Sequence, residues 1–432
     1  MRILAVLYCY PPLLYPATMV NLKLVKGLAE LGVGLEVVTV DPATFVAPGE
    51  GPIDPALEKL LPAAVINHRI RSWEIRRWVK ALKASGLARC APLYRFFEPR
   101  KREWTYPALR HLRRRGLDDV DLILSCSQPH CNHLLGLRLK ELSGKPWVAY
   151  FSDPWTDNVY TSYPRERIFR YHLQLERKVL DKADRIFFTS QETADLVLRR
   201  YPAAIAGKCG VLPHSFVPEW YPAAPLRREP DGPIRIVQTG HFYGPRTPLP
   251  LLRPLAELAA RSRLEGRIEF VFYGSMEEKY RDFLRRHHLE AVVRIAGIVP
   301  YLQTLAAMRD ADYLLLIDAP VQGEGQSVFL PSKLIDYLGS GKPVLGITPP
   351  RGTSARVLRE TGHLVCDIGD AQGIGRMLEN LAAGTLRVNP NQVEIDGYRH
   401  LQVATRFVAG LQELTGRSAP VVPRASSMAG AP

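Results

Sequence analysis

Short apolar runs recur along the chain, each separated from an amphipathic stretch by a glycine-, proline- or polar-rich loop. Ile3 to Leu7 reads as a buried strand, Tyr8 to Pro12 as a loop, Val20 to Leu31 as a helix stopped at Gly32, and Leu35 to Val40 as the next strand. A β-loop-α-β opening of this kind predicts a parallel sheet whose ligands bind beyond the carboxyl ends of its strands. Val120–Ser125, Pro146–Phe151, Arg185–Ser190 and Gly210–Phe216 continue the strands. Helices are predicted over Leu134–Glu141, Arg170–Lys182 and Glu192–Arg200.

Pro218, Pro222, Pro225, Pro230 and Pro233 mark a linker around Tyr221 to Pro233, after which the same grammar restarts. Strands follow at Ile234–Thr239, Ile268–Ser275, Val293–Gly297, Tyr313–Ile317 and Val344–Ile347, with helices at Leu249–Ser262, Val299–Met308, Gly375–Leu381 and Tyr398–Leu414. The expected architecture is α/β, two doubly wound Rossmann-like domains facing across a cleft, over residues 1–222 and 226–397. A chain of 432 residues is too long for one core, and 46% hydrophobic with 23% charged residues suits a soluble globular protein. Residues 418–432 are small, Pro-rich and almost uncharged, and are expected to be disordered.

The most informative stretch is Leu330 to Ile347. Pro331 suits the first position of a helix, and Gly341 with Pro343 stops that helix before an apolar strand. The N–H groups of Ser332 and Lys333 would then lie at the positive end of the helix dipole, where a diphosphate can be held. Asp336, three residues past Lys333, shares its face and could accept hydrogen bonds from ribose hydroxyls. An ordinary αβ unit has the same periodicity; the particular residues go further. The pattern P-S-K-L-x-D-Y-x-x-x-G-K-P-V-L resembles the nucleotide-sugar segment of glycosyltransferase family 4, retaining enzymes of GT-B fold.

Other motifs carry the same resemblance. The loop Gly240-His241-Phe242-Tyr243-Gly244-Pro245-Arg246 resembles the family's donor loop, in which a cation offsets charge on the departing diphosphate. Gly274 and Ser275 form a second glycine turn, where backbone can approach a ligand closely. In the first half, Ser127-x-Pro129-His130 followed by His133, and Pro146-Trp147-Val148-Ala149 followed by Asp153-Pro154-Trp155, resemble one subgroup of the family. The resemblance covers residues 1–45 and 120–415 and implies that helix 398–415 crosses back to complete the N-terminal domain. It implies an acceptor in that domain and a nucleotide-sugar in the C-terminal one. Catalytic candidates are Asp153, His133, Arg246 and Lys333, with His130 a weaker one. Donor-binding candidates are Gly240, Tyr243, Gly274, Ser275, Pro331, Ser332 and Asp336, with Gly352 to Ala355 as lesser ones. Three departures from the family pattern stand out. Leu13 to Thr18 replace the usual glycine pair, Ser152 stands where an Arg precedes Asp-Pro-Trp, and Val328 with Asp336 replaces two glutamates; Glu324 could compensate for the first.

Charge adds one feature. Of a net +14, nearly all falls between Arg69 and Arg115, with fifteen Lys or Arg against three Glu, interleaved with Trp73, Trp78, Tyr94, Phe96 and Phe97. This composition suits an anionic membrane surface first, an internally packed basic insertion (68–116) second, and single-stranded nucleic acid least. Nucleic acid is not expected as a partner. The six cysteines, at 9, 90, 126, 131, 209 and 366, lack C-x-x-C spacing, so neither disulfides nor zinc is indicated. Asp119/Asp121 and Asp310/Asp312 fit D-x-D but directly precede buried strands, so no metal and no resident cofactor is predicted. The first apolar run is too short for a signal peptide, and no stretch of about eighteen apolar residues occurs. The expected activity is retaining transfer of a sugar from a nucleoside diphosphate to a glycan or lipid-linked acceptor, at the cytoplasmic face of a bacterial membrane. A nucleotide-sugar epimerase and a non-catalytic GT-B subunit are the alternatives.

Overall fold

The computed structural model describes residues 1–45, 53–72, 85, 101–163, 165–223, 232–242, 244–262, 264–319, 326–411 and 414. The first domain begins β1 (Arg2–Val6), α1 (Pro16–Glu30), β2 (Gly34–Val40), β3 (Ile66–Ile70), α2 (Arg102–Arg115), β4 (Leu122–Cys126) and α3 (Cys131–Ser143). It continues with β5 (Trp147–Phe151), α4 (Glu166–Lys182), β6 (Arg185–Phe188), α5 (Gln191–Leu198), α6 (Ala203–Ala206) and β7 (Cys209–Val211). The second contains β8 (Ile234–Thr239), α7 (Leu249–Arg261), β9 (Ile268–Tyr273), α8 (Glu278–Arg286), β10 (Val293–Gly297), α9 (Tyr301–Asp310) and β11 (Tyr313–Ile317). It ends with α10 (Ser332–Gly339), β12 (Val344–Thr348), α11 (Thr353–Glu360), β13 (Leu364–Asp367) and α12 (Ala371–Ala382); α13 (Gln392–Asp396) and α14 (His400–Ala409) follow.

Both sheets are parallel throughout. Their strand orders are β3-β2-β1-β4-β5-β6-β7 and β10-β9-β8-β11-β12-β13. In each sheet the order reverses once, between β1 and β4 and between β8 and β11. At such a reversal the loops leaving adjacent strands part in opposite directions and open a crevice for ligand. The two doubly wound domains expected from the sequence are thus present.

The strands are apolar along their whole length because helices cover both faces; β4, β5 and β12 are buried at every residue. The two domains are not independently packed. One apolar cluster runs from β1 and α1 through Phe216 to Tyr301, Leu305, Ile335 and Leu338 of the second domain. Strand-like pairing joins Phe216 to Arg399, with Phe216 N–H donating to Tyr398 O at 3.0 Å and His400 N–H to Phe216 O at 2.9 Å. This delivers α14 onto α1, so the last helix packs on the first domain. A Cβ on Gly27 would lie 2.6 Å from His400 O, which is why the α1 surface is bare there.

Several boundaries differ from the sequence reading. α1 starts at Pro16 rather than Val20, with proline in its first turn, and Pro331 caps α10 from outside with ψ 127° instead of being its first residue. The basic stretch divides. Its last part is α2, whose Trp104, Ala108 and Leu112 are fully buried while Arg113, Arg114 and Arg115 close the helix end, where cations oppose the dipole. Arg115 pairs with buried Glu36 and with Asp119. That portion is an internally packed element rather than a surface-lying helix; residues 73–84 and 86–100, with Trp73, Trp78 and Phe96, lie outside the described residues. So do Tyr243, Glu324, the linker 224–231 and the tail 418–432. The D-x-D aspartates tie strands: Asp121 accepts Arg2 N–H at 2.8 Å and Asp312 accepts Arg235 N–H at 2.7 Å. No helix among the described residues is long and apolar enough to cross a membrane.

Candidate active site

In the second domain the ends of β8 and β9 touch. Gly274 has φ +143°, and a Cβ there would fall 2.5 Å from Gly240 O, so a side chain could not be accommodated. The two turns are also locked through side chains. His241 Nδ1 accepts Ser275 N–H at 3.0 Å and lies 2.7 Å from Ser275 Oγ. Accepting a backbone N–H leaves Nδ1 without its own hydrogen, so the ring proton of neutral His241 sits on Nε2.

α10 is pinned to the same place. Tyr337 Oη accepts Thr239 N–H at 2.8 Å, and Lys333 Nζ donates to Thr239 O at 3.0 Å. The first turn of α10, Ser332 and Lys333, is therefore held beside the glycine lip, next to Pro331. Burial pulls the Lys333 ammonium down to about 7; the charge of Arg246 pulls the same way and Asp318 opposes both. Arg246 itself is 7% exposed, and its Nη2 donates to Asp318 Oδ1 at 3.1 Å. Arg246, Lys333, Gly240, Gly274 and Ser275 thus converge at the β8/β11 reversal.

The first domain contributes Asp153, one residue beyond Ser152 at the end of β5. Its carboxylate accepts Gln128 Nε2–H at 3.1 Å and Ser152 Oγ–H at 3.4 Å. Burial raises the carboxyl to about 6, while these two hydrogen bonds and the charge of Arg246 lower it. The influence of Arg246 crosses the domain boundary, so the two half-sites face one another.

His133 stands elsewhere. It is fully buried, its ring 4.3 Å from that of Phe151, and Nδ1 lies 2.9 Å from Ser125 Oγ. Ser125 Oγ also accepts Trp147 Nε1–H at 2.8 Å. Burial lowers the imidazole to about 3, which keeps it neutral. The structure therefore seats His133 in the core under β4 and β5 rather than at an open acceptor face. His130 stacks flat on Trp155 at 4.8 Å, and burial holds it well below the usual histidine range.

Asp336 also points away from Lys333. Its Oδ1 accepts Lys23 Nζ and, at 3.1 Å, Tyr301 Oη, with Lys23 1% and Asp336 5% exposed. The shared-face reading gives way here because a buried carboxylate is drawn to the nearest cation, and that cation comes from α1 of the other domain. Gly352, with φ +128°, begins α11, and Ser354 Oγ donates to Asp318 Oδ2 at 2.8 Å. Asp318 and Lys23 are the residues that sequence reasoning missed. A strand-final Asp after the apolar run Leu314–Ile317 was the signal for the first, since β11 borders the reversal.

Residues 17–214 match the family model described as Glycosyltransferase Family 4. No curated protein matches the chain in sequence. Among solved structures, sucrose-phosphate synthase from Thermosynechococcus elongatus superposes with a TM-score of 0.65 at 13% identity, covering 97% of this chain and 100% of that one. Anabaena HepE, determined with UDP and glucose, gives 0.61 at 12% identity over 96% and 100%. The lipopolysaccharide outer core galactosyltransferase WaaB gives 0.58 at 14% identity over 96% and 100%. The family match thus covers the first domain, and the likeness to these solved structures shows that the chain shares their two-domain fold.

Proposed function

We propose that the protein is a retaining glycosyltransferase that moves a sugar from a nucleoside-diphosphate-sugar to a hydroxyl of a glycan or lipid-linked acceptor in envelope polysaccharide or glycolipid synthesis. The observation that carries the reading is the pairing of two cations, Arg246 and Lys333, with the glycine lip of Gly240 and Gly274 at the β8/β11 reversal. Two positive charges beside close-approaching backbone suit a diphosphate. HepE, of the same fold, was determined with UDP, which supports a nucleotide-sugar donor.

In this reading the bond from the anomeric carbon to the diphosphate oxygen breaks and its electron pair leaves with the nucleoside diphosphate. Arg246, Lys333 and the first amides of α10 stabilise that developing charge. The acceptor hydroxyl, oriented from the Asp153 side, attacks from the same face, and its proton passes to the departing phosphate oxygen. Ser275 and Pro331 line the donor, and Gly352 to Ala355 border it. The basic segment 69–115 would bring the enzyme to an anionic membrane surface on the cytoplasmic side, its α2 portion serving as scaffold. The match to a glycosyltransferase family disfavours the epimerase alternative.

Thermal-shift screening against UDP, GDP, ADP, CMP and TDP, repeated with Arg246→Ala, tests the donor half. One nucleoside diphosphate should raise the melting temperature of the wild type and not of the variant, because a ligand that binds only the folded state stabilises by mass action. Absence of any shift at millimolar concentration would overturn the reading and favour the non-catalytic subunit. The anomeric configuration of the product, read by NMR, tests retention.

A further inference from the structure

Behind the two cations lies a carboxylate that would touch neither donor nor acceptor. Asp318 is the first residue after β11 and is 1% exposed. Its Oδ1 accepts Arg246 Nη2–H at 3.1 Å and Ala319 N–H at 2.8 Å; its Oδ2 accepts Ser354 Oγ–H at 2.8 Å and Ser327 Oγ–H at 3.3 Å. Apart from the neighbouring Ala319, these partners come from three separate segments: the loop after β8, the stretch leading into α10, and the start of α11. The last two are themselves joined, since Thr353 N–H donates to Ser327 O at 2.8 Å and a Cβ on Gly352 would fall 2.2 Å from that oxygen. Asp318 thus sits at the knot of the loops that surround the donor half-site.

Two facts separate a functional role from simple loop tying. Arg246 is buried, and a buried guanidinium needs a charged partner to stay in one place. Neutral hydroxyls could have tied Ser327 and Ser354 together without a charge. A net negative group behind an anion site also weakens anion binding, so its presence calls for a reason beyond affinity. We propose that Asp318 is a positioning residue of the transferase, holding the Arg246 guanidinium where the diphosphate charge develops. This inference rests on the donor-site reading given above.

The groups that face Lys333 make its titration a readout of the charge at Asp318. Arg246 and His241 reach it from the loop after β8, Asp318 from the end of β11, and Asp336 on its own helix is engaged by Lys23. Arg246 favours the neutral amine, whereas Asp318 favours the ammonium. Without Asp318 the lysine would lose its proton at a lower pH, and anion binding would fade correspondingly earlier.

The test is calorimetric titration of the full chain with inorganic pyrophosphate and with UDP from pH 5.5 to 9, for wild type, Asp318→Asn, Ser327→Ala and Asp318→Glu. Wild-type affinity should fall as pH rises through the lysine titration. In Asp318→Asn the midpoint of that fall should move down by about one pH unit, and affinity at the acid end should drop because the buried guanidinium has lost its charged partner. Ser327→Ala, which removes a neutral partner only, should leave the midpoint where it is. Asp318→Glu keeps the charge but displaces the guanidinium, so it should keep the midpoint and weaken binding about tenfold. It also decides the matter if Asp318→Asn does not fold. Uniform weakening of Asp318→Asn with an unmoved midpoint, an equal shift in Ser327→Ala, or unaltered affinity in Asp318→Glu would each overturn the proposal. If wild type binds and Asp318→Asn behaves identically, only the role of Asp318 falls; if wild type binds neither probe, the donor-site reading falls and takes this inference with it.

Discussion

The two halves of the site handle charge in opposite ways. The second domain concentrates it, with two cations, a buried counter-carboxylate and a backbone lip all within one strand reversal. The first domain offers one carboxylate, Asp153, supported by neutral Gln128 and Ser152 and pushed up to about 6 by burial. Its influential cation is Arg246, across the boundary. The second-domain cluster is therefore complete in its own domain, whereas the Asp153 side acquires its electrostatic character only when the domains face each other.

The strongest way to break this comparison is to cut what joins the halves. Lys23→Ala leaves the Asp336 carboxylate buried and without its cation, and should lower unfolding free energy by about 3–5 kcal/mol in denaturant titration. Lys23→Met with Asp336→Asn should recover part of that loss. Next comes the donor half. Lys333→Met should reduce turnover about 100- to 1,000-fold, the cost of removing one group aimed at developing charge. Because Lys333 titrates near 7 in the fold against an ordinary 10.5, the folded chain binds fewer protons than the unfolded one between those values. Its contribution to stability consequently rises with pH across that window, and Lys333→Met should melt no lower than wild type and lack that pH dependence.

His133→Ala should cost about 2 kcal/mol of stability, through a cavity and an orphaned Ser125 hydroxyl, and leave nucleotide affinity unchanged. A loss of acceptor turnover without loss of stability would return His133 to the site. The smallest effect belongs to Asp153→Asn, which should lower kcat/KM for the acceptor about tenfold while the nucleotide-induced shift in Tm persists.

How far the chain could be read beforehand follows the same division. The cluster of Arg246, Lys333 and the glycine turns was legible because its parts are local: proline before Ser332 and Lys333, glycine at each strand end, arginine six residues past Gly240. Period and punctuation likewise gave the parallel sheets, since buried strands are apolar throughout and their loops begin with glycine or proline. What escaped depends on partners far away in sequence. Lys23 lies within the apolar run Val20 to Val25 and looks like one polar step of an amphipathic helix, while its partner is Asp336. His133 is the third residue of α3, and nothing in the local pattern says whether that face meets solvent or Phe151. Asp318 reads as a turn residue until β8 is known to be the neighbour of β11. In the basic segment, Trp104, Ala108 and Leu112 form a stripe that fits a membrane surface or a protein core equally well, and the fold buries it.

The return of α14 to α1 has a consequence for how the protein is made. Synthesis runs from the amino end, yet the surface of α1 around Gly27 stays bare until His400 has emerged, by which time β1 to β13 have been translated. The first domain is thus begun before the second and finished after it. A ribosome that stops short of α14 releases a chain whose second domain is whole and whose first domain still shows an uncovered apolar face.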